Sequence, residues 1–406
     1  MTVAWCIFLF IFGACVGSFI NVLVWRMPRL GWGSLISPPS HCPKCKHPLA
    51  WYDNVPVFGW IFLRGRCRYC REPISIRYPI VEFICGALFA FYYAVFFILH
   101  MRGMGSFDEQ WPMYVLYMTL MSGLVAISLI DGELYIIPSE LPWGLAVIGI
   151  VVHAIIDRPG LPGALRVGPF GGAVAAGGAI GLLVSLILYW TGIIKQSFPD
   201  GEPALEVDEA QWQEEVAEAK RQGVQAPPRP RVYTRKEIRA ELGREMQFLL
   251  PPMLGALAGG LAVLYIKPLA AAWQTLVQSN WLSGMLGAIL GALVGALIIW
   301  LARILGTLAF GRIAMGLGDV HLMFGIGAII GAGPVTVAFF LAPFAGLLVG
   351  LWNLITRSRR ELPYGPYLSL ATAAVLVTYP LIMAQLKLDE GFEGLRFMLR
   401  NTFGGS

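Results

Sequence analysis

Two aspartates lie at the ends of strongly apolar segments, where a carboxylate is costly. Asp131 follows the apolar run that ends at Ile130, and Asp319 follows Gly318 and precedes another apolar run. A charge within a membrane helix costs about 2.5–3.5 kcal/mol on insertion scales, so such acids have a partner or a function. Two aspartates brought together from different helices would share a proton. The ionised one would take a proton from water and the other would donate to a scissile carbonyl, which is the chemistry of aspartic hydrolysis.

Each aspartate also has a simpler interpretation as a helix cap at the membrane interface, where a carboxylate costs little. Gly316 and Gly318 would let another backbone, of a helix or an extended substrate, approach Asp319 closely. Glu82, one turn into the second apolar segment, fits a structural contact between helices at least as well as a catalytic role. Three further polar residues in apolar segments are interpreted as structural: Asn21, His153 and Asn353.

Four cysteines form two CxxC pairs, Cys42 with Cys45 and Cys67 with Cys70, with 21 residues between the pairs. Four thiolates at this spacing predict a tetrahedral zinc site, and a site with four protein ligands is structural because it has no open position. The alternatives are two disulfides or four buried thiols. Disulfides are disfavoured if this segment faces the reducing cytoplasm. The remaining cysteines lie in apolar segments and are interpreted as small apolar residues: Cys6, Cys15 and Cys85.

The elements that must position these residues are membrane helices. Of 406 residues, 57% are hydrophobic and only 14% are charged, whereas about 25% are charged in soluble domains. The sequence therefore predicts an all-α polytopic membrane protein with about eight to ten transmembrane helices and a small cytoplasmic zinc-binding loop. The candidate spans are 4–25, 79–99, 112–130, 141–156, 171–194, 249–272, 281–305, 320–333, 335–356 and 364–385.

The basic residues indicate the orientation of these spans. Most of the 30 Lys and Arg residues lie in 26–78, 195–248 and 357–360. The positive-inside rule then favours both termini outside, an even number of spans and a cytoplasmic active face. The first span has no basic residues before it and is expected to remain as an anchor and not to be cleaved as a signal peptide.

The chain divides into membrane and polar regions. The polar stretch 195–248 contains a proline cluster at 227–230, typical of a linker, and we assign it no chemistry. Thr234 followed by Glu237 fits a capping box and predicts a short helix over 235–247. The predicted regions are a first transmembrane helix at 1–25, a zinc-binding domain at 26–78, a membrane core at 79–156, an insertion at 157–280, a second membrane core at 281–385 and a tail at 386–406.

Six motifs in order resemble the type IV prepilin peptidases, or type IV leader peptidases, of the GxGD membrane aspartic protease family. The motifs are Gly17 to Val22 with Arg26-Met27-Pro28, the two CxxC pairs around 51–60, Ile76 to Glu82, Ile130-Asp131, Gly316-Leu317-Gly318-Asp319, and Leu362 to Leu368. The resemblance covers about 1–156 and 281–380. It implies that Asp131 and Asp319 are the catalytic pair.

The resemblance also implies the reaction and its setting. The substrate would be a prepilin or pseudopilin, with a short basic leader, a Gly before the cut and then a hydrophobic helix. The enzyme would lie in the inner membrane with its active site facing the cytoplasm, among lipid and the pilus or type II secretion machinery, and we expect no nucleic-acid partner. Many members also methylate the new N-terminus with S-adenosylmethionine, although no glycine-rich nucleotide loop is present here. Acids near the site, Asp131, Glu133 and Glu140, could attract the basic leader.

Three features depart from the family pattern. Ser139 follows Pro138 where the family often has a second Asp, which leaves Asp131 as the first catalytic candidate. His321 stands where a Lys is expected, and its charge can change near neutral pH. The segment 157–280 is longer than usual and adds two predicted spans, which preserves the orientation of the rest but leaves substrate range and partners open.

Three rival functions remain open from the sequence. A transporter or channel would also place acids in membrane helices, although it predicts them along a midplane cavity. A non-enzymatic scaffold of a pilus or secretion apparatus would use the zinc loop for docking. A related GxGD peptidase would act on another substrate, such as a preflagellin, although the zinc loop and the N-terminal signature argue against it.

Overall fold

A computed structural model describes residues 2–35, 40–198, 209–222, 233–311, 313–356 and 363–386. Three expectations fall outside these ranges: the proline cluster at 227–230, the basic turn at 357–360, and the predicted tail beyond residue 386. Leu362, the first residue of the last family motif, also falls outside them.

Within the described ranges the chain forms α-helices and no β-strand. The helices are α1 (Thr2–Leu30), α2 (Phe58–Phe62), α3 (Arg77–Tyr93), α4 (Phe107–Leu134), α5 (Glu140–Ile156), α6 (Pro169–Trp190), α7 (Glu209–Gln222), α8 (Arg235–Tyr265), α9 (Lys267–Val277), α10 (Asn280–Phe310), α11 (Leu317–Ile330), α12 (Ala332–Thr356) and α13 (Gly365–Leu386). Short 3-10 turns lie at Trp32–Ser34 and Trp51–Asp53, and α3 continues into a π-helical turn at Ala94–Ile98.

Seven described helices are long and apolar enough to cross a membrane: α1, α3 with its π-helical turn, α4, α6, α8, α10 and α13. Three shorter apolar helices are α5, α11 and the first part of α12. These ten correspond to the ten apolar segments of the sequence, so the prediction of an all-α polytopic fold is confirmed.

The chain folds into two compact units, which we describe separately. Unit 1 comprises Met1–Leu145, Gly160–Gly163 and Gly333–Ser406, and unit 2 comprises Ala146–Pro159 and Ala164–Ala332. Asp131 and the four paired cysteines belong to unit 1, and Asp319 belongs to unit 2.

In unit 1, α1 packs on α3 through glycines. A Cβ at Gly13 would lie 2.7 Å from the backbone oxygen of Cys85, and a Cβ at Gly86 would lie 2.7 Å from the backbone oxygen of Phe10. Only glycine allows backbones this close, which is how membrane helices gain packing without a hydrophobic driving force. The two helices therefore form a tight pair that carries the polar loop between them.

Two side-chain donors, one buried and one half-buried, join α13 to the region of α3. Tyr92 Oη donates to the Ala373 carbonyl at 2.8 Å, and Arg102 Nη1 donates to the Leu376 carbonyl at 2.6 Å. Both acceptors are helix carbonyls, which can take a second donor because each carbonyl oxygen has two lone pairs. The contacts fix the middle of α13.

In unit 2, α6 and α8 pack closely through small residues. A Cβ at Gly177 would lie 2.0 Å from the Gly255 oxygen, and a Cβ at Gly181 would lie 2.2 Å from the Pro251 oxygen. Ser185 Oγ of α6 donates to the Phe248 carbonyl of α8 at 2.7 Å. This carbonyl would otherwise lack its helical donor, because the residue four positions on is Pro252, which has no N–H.

This contact explains a difference from the sequence prediction. The predicted helix 235–247 and the start of the predicted span 249–272 form one helix, α8, which continues through Pro251 and Pro252. The predicted capping box is confirmed: Glu237 N donates to Thr234 Oγ1 at 3.3 Å, and Thr234 N donates to Glu237 Oε2 at 2.8 Å. The helix ends at Tyr265, short of residue 272, and α9 begins with proline in its first turn.

Unit 2 also contains a buried His–Asp pair. His153 Nδ1 lies 2.9 Å from Asp157 Oδ1, and His153 Nε2 lies 3.0 Å from the Ile329 carbonyl at the end of α11. The other carboxylate oxygen of Asp157 accepts from the Leu165 N–H at 2.7 Å. These contacts support the structural interpretation of His153, because both ring nitrogens have partners.

Candidate active site

The four paired cysteines converge in the loop between α1 and α3. The Sγ atoms of Cys42, Cys45, Cys67 and Cys70 all lie within 4.8 Å of one another, and Cys42 and Cys70 are 3.7 Å apart. A tetrahedron with Zn–S bonds of about 2.3 Å has sulfur separations of about 3.8 Å, so the site fits zinc. All seven cysteines are free thiols. The cluster could therefore hold a metal, and the disulfide alternative is not supported.

The two CxxC pairs form matching knuckles. Cys42 N donates to the His47 carbonyl at 3.0 Å, and Cys67 N donates to the Glu72 carbonyl at 2.8 Å. Each knuckle then turns through a residue with positive φ, Lys46 in the first and Arg71 in the second. Because the turns are alike, each half presents its two thiols in the same way.

The thiols differ in acidity. The backbone N–H of Cys45 lowers the pKa of Cys42 to about 6, and the N–H of Lys44 acts in the same direction. At Cys70 the Glu72 N–H lowers the pKa, but burial and the neighbouring thiols outweigh it and raise the pKa to about 11. Metal binding needs thiolates, so it would release protons mainly from the less acidic thiols.

Glu82 connects this loop to the membrane helices. Its Oε2 accepts from the Val57 N–H at 2.7 Å, and the Ser18 side chain of α1 also hydrogen-bonds it. Val57 has a φ of 62°, an unfavourable value for a β-branched residue. Asn21 of α1 joins the start of α3, since its Nδ2 donates to the Tyr78 carbonyl at 3.2 Å. The contacts of Glu82 are thus those of an anchor between a helix pair and the zinc loop.

Asp131 lies in the last turn of α4 and is buried, with 6% of its surface exposed. Its Oδ2 accepts from the Gly365 N–H at 3.0 Å. Gly365 is the first residue of α13, where backbone N–H groups have no partner in their own helix. A Cβ at Gly365 would lie 2.6 Å from Asp131 Oδ2, so only glycine allows the contact.

The acids near Asp131 are not all available to a basic ligand. Glu133 forms an ion pair with Arg77 at the start of α3, and both side chains are about one-third exposed. Its charge is therefore largely compensated within unit 1, which weakens the expectation that Glu133 attracts a basic leader. Helix α4 ends at Leu134. The next residue, Tyr135, has a φ of 54°, which turns the chain, and its N–H donates to the Asp131 carbonyl.

Asp319 lies in the first turn of α11 and is also buried, with 7% exposed. Its Oδ2 accepts from the Gly316 N–H at 3.2 Å, which ties the carboxylate to the backbone of its own motif. A Cβ at Gly316 would meet only Asp319 Oδ2 at 3.5 Å and Gly318 N at 3.8 Å, ordinary contact distances. No other described atom lies within 4 Å of that Cβ position, apart from those of the two chain neighbours of Gly316.

The structure brings together Asp131 with Gly365, and Asp319 with Gly316, each within its own unit. It also reveals two residues that the sequence analysis missed, Glu245 of α8 and Arg303 of α10, which form a buried ion pair. Arg303 carries a signal that could have identified it, because it lies inside the predicted span 281–305, where a charged side chain needs a partner.

Comparison with known families supports this description. The protein-family model described as "Bacterial Peptidase A24 N-terminal domain" matches residues 11–96, which include the cysteine cluster and Glu82. The model described as "Type IV leader peptidase family" matches residues 248–351, which include Asp319 and Arg303. The second range begins inside the predicted insertion 157–280, and Asp131 lies outside both ranges.

Several curated relatives are each described as "Prepilin leader peptidase/N-methyltransferase". The protein from Myxococcus xanthus (strain DK1622) is 43% identical over 132 residues, which are 32% of this chain and 35% of the relative. The Klebsiella pneumoniae protein is 47% identical over 89 residues, which are 21% of this chain and 39% of the relative. The Aeromonas hydrophila protein is 32% identical over 208 residues, which are 45% of this chain and 62% of the relative. The matched segments thus span about one-third to three-fifths of these relatives. No solved structure matches the chain.

Proposed function

Because this chain belongs to the type IV leader peptidase family, we propose that it is a membrane aspartic endopeptidase that removes the basic leader from prepilins or pseudopilins. The observation that carries the proposal is the buried Asp319 in the motif Gly316-Leu317-Gly318-Asp319 at the start of α11, inside the matched range. A second buried carboxylate, Asp131, ends α4.

In this mechanism Asp131 and Asp319 act as the acid–base pair. One carboxylate is ionised and removes a proton from the attacking water, and the other is protonated and donates to the carbonyl oxygen of the scissile peptide. The hydrogen bonds from Gly365 and Gly316 each hold one carboxylate oxygen in place.

The substrate would reach Asp319 beside Gly316. This glycine has room for a Cβ without a clash, so an extended backbone could lie against it. A prepilin-type segment, with a basic leader, a Gly before the cut and then an apolar helix, suits an enzyme whose acids lie at the ends of membrane helices. We place this face on the cytoplasmic side of the inner membrane, because most Lys and Arg residues lie in the connections on that side.

We also propose that the chain methylates the new N-terminus, because the curated relatives carry N-methyltransferase in their names. S-adenosylmethionine would supply the methyl group. The cysteine cluster would hold structural zinc, with Cys42, Cys45, Cys67 and Cys70 as its four ligands. Pilus or type II secretion components would be the partners of the processed substrate.

The test is cleavage of prepilin-type substrates in a strain that lacks its own leader peptidase. Wild type is compared with Asp131→Asn and Asp319→Asn, which are nearly isosteric but cannot share the proton. Asp108→Asn is the matched control, because Asp108 is exposed in the first turn of α4, at the other end from Asp131. Each variant is checked for membrane insertion and abundance, and methylation of the product is read by mass spectrometry.

We expect wild type and Asp108→Asn to cleave after the leader Gly, and both active-site variants to accumulate but not cleave. Cleavage that survives Asp131→Asn or Asp319→Asn would show that this Asp is structural. If wild type cleaves neither prepilins nor preflagellins, the scaffold or transporter interpretation replaces the peptidase.

A further inference from the structure

Glu245 and Arg303 form a buried ion pair in unit 2. Each is 3% exposed, and Arg303 Nε lies 3.1 and 3.2 Å from the two carboxylate oxygens of Glu245. Each oxygen has a further donor, Ser197 Oγ at 3.1 Å and Trp300 Nε1 at 2.9 Å. The carboxylate is therefore fully hydrogen-bonded, as a buried charge must be.

The same arginine reaches the motif that contains Asp319. Arg303 Nη1 donates to the carbonyl of Met315, the residue directly before Gly316. Thr307, one turn further along α10, accepts from the Ala314 N–H at 3.2 Å. Two successive residues of the segment between α10 and α11 are thus held by α10.

These contacts form a continuous chain to the carboxylate. Glu245 orients Arg303, Arg303 holds the Met315 carbonyl, and the next N–H, of Gly316, donates to Asp319 Oδ2. The guanidinium of Arg303 can bind Glu245 and the Met315 carbonyl at the same time because its donors point in fixed directions, whereas an ammonium group is a single point charge.

The polar stretch 195–248 contributes directly to this arrangement. Ser197 and Glu245 both come from it, and its apolar residues pack on α10 and on Ile313. The cluster comprises Phe198, Tyr233, Ile238, Leu242, Leu249 and Ile304, with Trp300 and Ile313 against it. The described parts of the stretch therefore pack against Ile313, shortly before the motif.

We propose that the Glu245–Arg303 pair is a positioning element for the catalytic motif, through which the polar stretch 195–248 fixes the backbone before Asp319. This inference rests on the proposed peptidase activity, since it assigns the pair a role in that reaction. Neither side chain contacts the reacting atoms, so both act by holding the Met315 carbonyl.

The discriminating variant is Arg303→Lys, which keeps the charge opposite Glu245 but cannot hold Glu245 and Met315 together in the same geometry. A second variant, Glu245→Met with Arg303→Met, replaces the pair by apolar side chains of similar volume, which often preserves or raises stability. The matched control is Asp157→Asn, which perturbs the buried pair that touches the opposite end of α11 at Ile329.

Two measurements are made on the full chain in detergent: steady-state cleavage of a prepilin-type substrate and hydrogen exchange of backbone amides. For Arg303→Lys and for the double variant we expect kcat to fall about 10- to 100-fold with KM within about twofold, because small misplacements of a catalytic group are costly. We expect exchange to rise at 313–319 and to stay unchanged near residue 329. For Asp157→Asn we expect exchange to rise near residue 329 and to stay unchanged at 313–319, with an unchanged kcat.

If the amides of 313–319 exchange at the wild-type rate in both Arg303→Lys and the double variant, the proposal is overturned, whatever the measured activity. A kcat that falls equally in Asp157→Asn would also overturn it, since the effect would then be one of general stability. If wild type cleaves no substrate, the proposed function fails, and the exchange comparison alone decides whether the pair positions the motif.

Discussion

The N–H of Gly365 donates to Asp131 Oδ2 across 234 positions of the sequence. This contact joins the first residue of α13 to the last turn of α4. It leaves no room for a side chain, because a Cβ on Gly365 would lie 2.6 Å from the same oxygen. The glycine of the last family motif and the aspartate of an earlier one therefore belong to a single structural unit.

Replacing this glycine tests the contact. In Gly365→Ala the new Cβ would lie 2.6 Å from Asp131 Oδ2, so the carboxylate must move. We expect cleavage to fall at least about 10-fold, since a catalytic group displaced by about 1 Å loses much of its effect. The control is Gly132→Ala, beside Asp131, where a Cβ meets nothing within 4 Å. Equal activities in the two variants would show that the Gly365 contact does not position Asp131.

Metal content tests the cysteine cluster. Purified wild type should contain about one zinc per chain. Cys45→Ser removes one ligand and should lower this content several-fold and increase proteolysis within residues 40–76. Cys15→Ser, which changes an exposed cysteine of α1 outside the cluster, should keep the metal. Stoichiometric zinc in Cys45→Ser would rule out this cysteine as a ligand.

Alkylation of the metal-free protein tests the acidities of its thiols. Cys42 has a lowered pKa of about 6, so its thiolate predominates above that pH and its rate of labelling by iodoacetamide should already be near its maximum at pH 7. Cys70 has a raised pKa of about 11, so its labelling should increase only at alkaline pH. Peptide mass spectrometry at pH 5, 7 and 9 separates the two sites. Identical pH profiles would contradict the different hydrogen bonding of the two thiols.

Glu82 can be tested for an anchoring role. In Glu82→Gln the side-chain oxygen can still accept from the Val57 N–H, so fold and cleavage should be nearly retained. In Glu82→Leu this N–H loses its partner, and the free energy of unfolding should fall by about 1–3 kcal/mol. Thermal unfolding in detergent and proteolysis of the zinc loop report the change. A stable Glu82→Gln protein without cleavage would instead indicate a catalytic carboxylate.

The features that the sequence predicted well depend on residues close together in the chain. Thr234 and Glu237 are three positions apart, and the capping box between them is present in the structure. Each CxxC pair likewise forms within one turn, so the knuckles follow from local spacing. Seven of the ten apolar segments form helices whose length matches the thickness of the bilayer, which is a property of each segment alone.

The features that the sequence did not predict depend on packing between distant helices. Glu245 and Arg303 are 58 positions apart, and nothing near either one identifies its partner. Similarly, the sequence predicts a short helix over 235–247 and a separate span over 249–272, whereas α8 continues through both and Ser185 supplies a donor to its Phe248 carbonyl. Such pairs of residues can be identified only when it is known which helices pack against each other and through which faces.

The Ser185 contact also bears on how the protein is made. Helix α8 contains a carbonyl, at Phe248, that its own backbone leaves without a donor, and a hydroxyl on α6 provides one. Because α6 precedes α8 in the chain, that hydroxyl has already been synthesised when Phe248 leaves the ribosome. During biogenesis the Ser185 hydroxyl is therefore already in the chain when α8 needs a donor for the Phe248 carbonyl.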